Sequence, residues 1–86
     1  MPENAQMREK ALKVIEGLGS LANIKECEGC ITRIRCTVVD PKRVNDKVLK
    51  SAGAVAIVKM GTGIQVVIGT YADLIAGEMN KIRKGK

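Results

Sequence analysis

The sequence predicts an α+β fold: an open-faced two-layer sandwich, with helices on one side of a sheet and the other side exposed. Three observations predict it. The N-terminal third carries apolar residues at three- and four-residue spacing, the helical period. Residues 30–39 alternate apolar and polar, the period of a strand buried on one face. Two further β-branched runs flank Gly61-Thr62-Gly63, the composition of a tight hairpin. The order is helix, strand, a short strand at Val44, helix, strand, strand, helix. This favours an antiparallel or mixed sheet with helices packed on one face.

Each element has its own justification. Met7, Ala11, Val14, Ile15 and Leu18 form one stripe, while Arg8, Glu9, Lys10, Lys13 and Glu16 lie elsewhere on the wheel. Pro2 suits the helix start and Gly19 its C′ position. Ser20 to Glu28 reads as a loop. In the run from Cys30 to Val39, Ile34, Cys36 and Val38 fall on one face and Arg33, Arg35 and Thr37 on the other; Asp40-Pro41 ends it. A short helix over Asp46–Ala52 turns Val48 and Leu49 inward and closes at Gly53. Val55 to Met60 and Ile64 to Ile68 form the hairpin, whose glycines supply positive φ. Ile64, Val66 and Ile68 share a face and Gln65 takes the opposite one. Thr70-Tyr71-Ala72-Asp73 resembles a capping box. The last helix then runs to about Ile82, with Tyr71, Ile75, Met79 and Ile82 on its apolar stripe.

The chain has 86 residues, 45% of them hydrophobic, which predicts one domain over 1–86 with frayed ends at 1–4 and 83–86. A chain this short buries only about 60–65% of its unfolded surface. The absence of histidine excludes a histidine-based triad, a histidine zinc ligand and a phosphohistidine on this chain. With no Trp or Phe, and Tyr71 alone, there is no aromatic platform for stacking bases. Fifteen Lys and Arg against nine Asp and Glu leave a net charge of +6, which suits anionic partners. No apolar run is long enough to span a bilayer and no signal-peptide core is present, so a cytoplasmic location is expected.

Cys27, Cys30 and Cys36 are an odd set in a small chain, which argues for a functional thiol rather than a disulfide scaffold. Cys27-Glu28-Gly29-Cys30 has redox spacing. A thioredoxin-like motif opens a helix after a strand, however, and here the second cysteine opens a strand. Three thiols without histidine make a poor zinc set. Cys27 and Cys36 therefore read as small apolar filler.

Cys30 differs because Arg33 and Arg35, two apart on a strand, project from the same open face near it. A cation beside a thiol favours the nucleophilic thiolate, and guanidinium groups match phosphoryl oxygens. Backbone N–H groups of the Glu28-Gly29 turn suit the same anion. Two arginines on an open sheet face are also ordinary solvated charge. The residues alone leave these two readings level.

Cys30-Ile31-Thr32-Arg33-Ile34-Arg35 resembles the phosphorylation signature of the glucose-family IIB component of the bacterial sugar phosphotransferase system. The resemblance extends to Asn23-Ile24, Gly61-Thr62-Gly63-Ile64-Gln65, Gly69-Thr70, Asp73 and Glu78-Met79. It implies a four-stranded antiparallel sheet with three helices on one face. It also implies that Cys30 takes a phosphoryl group from the phosphohistidine of a IIA protein. Cys30 then donates it to a sugar held by the membrane-embedded IIC permease. By position, Thr32, Arg33, Arg35 and Gln65 line the site with Cys30, and Arg33 is expected nearer the phosphoryl group. An apolar patch including Ile31 and Val67 would dock both partners. Ile31 leans towards the glucose and N-acetylglucosamine branch.

No cofactor, metal or nucleic acid is implied, and a monomer is expected, either free-standing or cut from a fused protein. Departures from the family pattern are Gly29 before the cysteine, which suggests a more flexible loop, with Glu28, Leu74, Cys27 and Cys36. The rival reading is a small basic RNA-binding module using the open sheet face. Against it stand the missing aromatics and the lack of a Gly-x-x-Gly clamp. A thiol-redox protein would instead form a Cys27–Cys30 disulfide.

Overall fold

Pro2 opens the first helix, α1 (Pro2–Gly17), where its missing N–H is no loss. The computed structural model describes residues 2–85, with side chains from Gln6 onward; the fraying expected at Met1 and Lys86 lies outside these residues. The stripe read from the sequence is the buried one: Met7, Ala11, Val14, Ile15 and Leu18 are in the core. Gly19, at φ +102°, turns the chain out of the helix as a C′ glycine does.

The segment read as a loop contains a strand. After one 3₁₀ turn (Leu21–Asn23), β1 runs over Ile24–Gly29 and pairs antiparallel with β2 (Arg33–Val38). Its alternation is broken by a register shift between Ile24 and Glu26, so Ile24 and Cys27 are the two buried positions. A bulge of this kind hides a strand from a strict period of two.

β2 starts later than the alternation suggests, because Cys30-Ile31-Thr32 is the hairpin connection rather than strand. The Cys30 N–H donates to the Arg33 carbonyl at 2.8 Å. Within β2 the predicted faces hold: Ile34, Cys36 and Val38 are buried and Arg35 is exposed.

The strand expected at Val44 is absent. Val44 instead follows a 3₁₀ turn over Pro41–Arg43, in which the Asp40 carboxylate accepts from the Lys42 N–H at 2.9 Å. Pro41 supplies the fixed φ and no ladder donor, which favours the turn over a strand. Helix α2 (Asp46–Ser51) is capped by Asn45, whose side chain accepts from the N–H groups of Lys47 and Val48. Leu49 is fully buried, while Val48 stays partly exposed.

β3 (Ala56–Met60) and β4 (Gly63–Val67) form the second hairpin. Of its two glycines only Gly61 has positive φ, at +62°; Gly63 is already a strand residue opposite Met60. Helix α3 (Ala72–Lys84) begins two residues after the expected Thr70 cap, and its N-cap Tyr71 makes no side-chain capping bond. Gly69, at φ +110°, sets this start, and the Ala72 N–H returns to its carbonyl at 3.0 Å. Tyr71 is 58% exposed instead of lying in the core; Ile75 and Met79 hold the expected stripe, Ile82 packs against the core, and Ala72 and Ala76 complete the buried face.

The four strands are ordered β1-β2-β4-β3, every neighbouring pair antiparallel. Ile34, Cys36, Ile64 and Val66 face the helices and are nearly inaccessible. Each large aliphatic side chain so buried contributes about 1.5–3 kcal/mol. At the edge, Lys59 reaches Asp46 of α2 at 2.8 Å, closing that side of the sandwich with an ion pair. The result is the helix-backed, open-faced sheet that the sequence predicts.

Candidate functional site

The register assembles the open face row by row. Glu28, Arg35, Gln65 and Val58 form one row across the sheet, and Arg33, Val67 and Ala56 the next. Residues directly opposite in an antiparallel pair share a face. Cys30, half-exposed at the tip of the β1–β2 hairpin, sits across from Arg33 at the end of this surface. Ile31 beside it is 85% exposed.

Two contacts fix this tip. The Thr32 carbonyl accepts from both the Ile68 and Gly69 N–H groups at 2.9 Å, tying the hairpin to the segment that leads into α3. Gly29 lies so close to α3 that a Cβ there would come within 2.6 Å of the Asp73 Cα. That neighbour is backbone and cannot swing aside, so Gly29 serves close packing, not the loop flexibility expected from the sequence. The contact also brings Asp73 beside the tip, a neighbour that spacing alone does not reveal.

Arg33 is held from across the sheet. Its Nη1 donates to Gln65 Oε1 at 2.7 Å. Gln65 stands directly opposite Arg35, yet its amide oxygen is taken by Arg33 on the diagonal. Neither arginine forms an ion pair among the described residues. Their guanidinium charge is therefore available to an incoming anion. A shallow hollow of about 340 Å³ lies on the same face, lined in part by Glu26, Glu28, Arg35, Thr37, Met60 and Gln65. The structure thus brings Arg33, Arg35 and Gln65 together on one surface, with Cys30 and Thr32 in the tip at its edge.

The other thiols are elsewhere. Cys27 and Cys36 are buried on the helix-covered face, directly opposite one another, with their Sγ atoms 2.9 Å apart. Cys27 thus meets Cys36 rather than Cys30.

The arrangement matches a known family. The model of "phosphotransferase system, EIIB" covers residues 13–45, a span that includes the Cys30 tip and both arginines. The N-acetylglucosamine-specific EIIB component of Streptomyces coelicolor is 60% identical over 73 residues, 85% of this chain and 95% of that protein. The chain belongs to the phosphotransferase-system EIIB family.

The glucose-specific EIICBA component of Staphylococcus carnosus is 36% identical over 83 residues. This places the EIIB chain in the glucose-family branch. The match spans 96% of the chain but 12% of that much longer relative. One domain of a phosphotransferase-system IIabc component from Clostridium difficile shares the fold, with a TM-score of 0.74 over 94% of this chain and 83% of that one, at 23% identity. EIIB components are phosphotransferases, and this assignment displaces the RNA-binding reading.

Proposed function

We propose that Cys30 is the phosphoryl carrier of this EIIB chain. The observation that supports it is a half-exposed cysteine on a pinned hairpin tip, paired across the hairpin with an arginine that Gln65 holds in place. The Cys30 sulfur attacks the phosphorus of a phosphohistidine on a IIA protein. The S–P bond forms as the P–N bond breaks, and the imidazole leaves with the electron pair. In the second half a sugar hydroxyl attacks the same phosphorus, its proton is released, and the thiolate departs. The sugar is of the glucose or N-acetylglucosamine type, held by a membrane-embedded IIC permease. The IIB chain works at the cytoplasmic face of the membrane as a monomer.

Phosphoryl transfer of this kind depends on positioning and charge stabilisation. Arg33 and Arg35 supply the charge, Thr32 a hydroxyl at the tip, and Gln65 the orientation of Arg33. The transferred group stays on the surface because two different partners must reach it in turn.

The test is reconstitution with phosphoenolpyruvate, the general phosphotransferase proteins and a glucose-family IIA. Intact-mass and peptide analysis should place one phosphate on Cys30, and permease vesicles should then convert sugar to sugar phosphate. A Cys30→Ser chain that still passed label to sugar would sink the proposal.

A further inference from the structure

Cys27 and Cys36 lie outside the phosphoryl site, and the geometry between them is unusual for apolar filler. The Cys30 N–H bond to Arg33 starts the ladder of hydrogen bonds in the β1–β2 hairpin. Counting from it, the alternation makes Cys27 and Cys36 a non-hydrogen-bonded pair, the narrow kind with Cα atoms about 4.5 Å apart. That separation falls inside the range a disulfide tolerates, about 4.4–6.8 Å. The sulfur atoms already approach to 2.9 Å, within reach of a bond across this pair.

The pair is also chemically asymmetric. Cys27 is held below the usual thiol range, chiefly by the hydrogen bond its sulfur shares with Cys36, with the Arg83 charge adding to the effect against the cost of burial. Cys36 is pushed far up by the same bond and by burial. One sulfur is thus disposed to act as nucleophile, while its neighbour retains the proton.

We propose that Cys27 and Cys36 are a peroxide-reactive dithiol that closes to a cross-strand disulfide beneath the β1–β2 hairpin. The Cys27 thiolate attacks one oxygen of hydrogen peroxide; the O–O bond breaks, leaving a sulfenic acid and a hydroxide that takes up a proton as water. The Cys36 sulfur then attacks Cys27 Sγ. The S–S bond forms, the S–O bond breaks, and the departing hydroxide carries off the Cys36 proton as a second water. Both thiols are oxidised and the peroxide is reduced to two waters. Peroxide is small enough to reach sulfurs that are 8% and 4% exposed as residues. The bond staples the two strands whose tip carries Cys30 and leaves that thiol untouched, so the proposal does not depend on the role of Cys30.

The full chain and a Cys30→Ser chain would be treated with hydrogen peroxide, alkylated under denaturing conditions and digested with trypsin without reduction. Cleavage after Lys25, Arg33, Arg35 and Lys42 separates the peptides 26–33 and 36–42. Expected in both proteins is a linked pair of these peptides, lighter by two hydrogens and separated by dithiothreitol. Closing so short a loop should also raise the melting temperature of the Cys30→Ser chain by roughly 10 °C, reversibly. A Cys30→Ser, Cys36→Ala chain should show neither the link nor the rise. The proposal is overturned if both thiols of the Cys30→Ser chain are alkylated after peroxide treatment. It is also overturned if they are converted to sulfinic or sulfonic acids without linking.

Discussion

The hydrogen bond from Arg33 to Gln65 separates the two arginines of the open face. Arg35 has Gln65 directly opposite but does not engage its amide oxygen, whereas Arg33 reaches it along the diagonal at 2.7 Å. A guanidinium held at one nitrogen keeps its remaining donors aimed, so less rotamer freedom is lost when a phosphoryl group arrives. Gln65→Leu should remove that restraint while preserving volume and strand pairing. Losing a hydrogen bond to a charged group is worth about 1.5–3 kcal/mol, so phosphorylation by IIA should slow roughly 10- to 100-fold. Stopped-flow or quench measurements of the single transfer step check this, with circular dichroism confirming that the fold is retained. Arg33→Lys keeps the charge but loses the planar fork and should fall in the same range. An unchanged transfer rate in both variants would mean that Gln65 has no part in orienting Arg33.

The hairpin β1–β2 owes its placement to residues whose work is hidden in one dimension. Gly29 packs on the start of α3, 2.6 Å from Asp73 Cα measured from an added Cβ. Gly29→Ala should therefore cost about 1–3 kcal/mol in urea unfolding and slow transfer by moving the Cys30 tip. Asn23 is fully buried and bridges three segments: its Nδ2 donates to the Leu18 and Asp40 carbonyls, and its Oδ1 accepts from the Asp40 N–H. Asn23→Ala would strand those groups at a cost of roughly 2–4 kcal/mol, while changing nothing on the open face.

Neither role follows from local pattern, and the same elements show what does. The stripe of α1 and the faces of β2 were legible because burial there obeys one unbroken period. β1 was not, because its register shift near Lys25 and its charged residues imitate a loop. Thr70 carried the spacing of a capping box, but Gly69 redirected the chain and Tyr71 became the cap position. Spacing on β2 placed Arg33 and Arg35 together, and the family signature added Gln65. The diagonal bond between Arg33 and Gln65, 32 residues apart in sequence, needed the sheet order to be seen.

A sheet covered on one side separates two demands on a small protein. The helix-backed face holds the buried core, which frees the opposite face from any part in holding the fold together. Val58 and Met60 are exposed on the strand at the far edge of that free face, and Ile31, 85% exposed, stands at the hairpin tip beside Cys30. Exposed apolar groups rimmed by polar ones mark protein contact surfaces. A carrier visited by a donor and then an acceptor is best served by one surface that both recognise, since Cys30 lies at a single end of the sheet. Ile31, the most exposed of these side chains and adjacent to Cys30, makes no contribution to the core, so its replacement tests docking without disturbing folding. Ile31→Asp should leave the melting temperature within about 2 °C of wild type, as surface changes do. It should raise KM for phosphorylated IIA by about 10-fold, the scale of a docking anchor worth somewhat more than 1 kcal/mol. The same variant, phosphorylated beforehand, should lose a comparable factor in transfer to sugar through IIC-containing vesicles. Impairment of one half-reaction alone would show that donor and acceptor use different surfaces, and wild-type KM values in both would remove Ile31 from docking altogether.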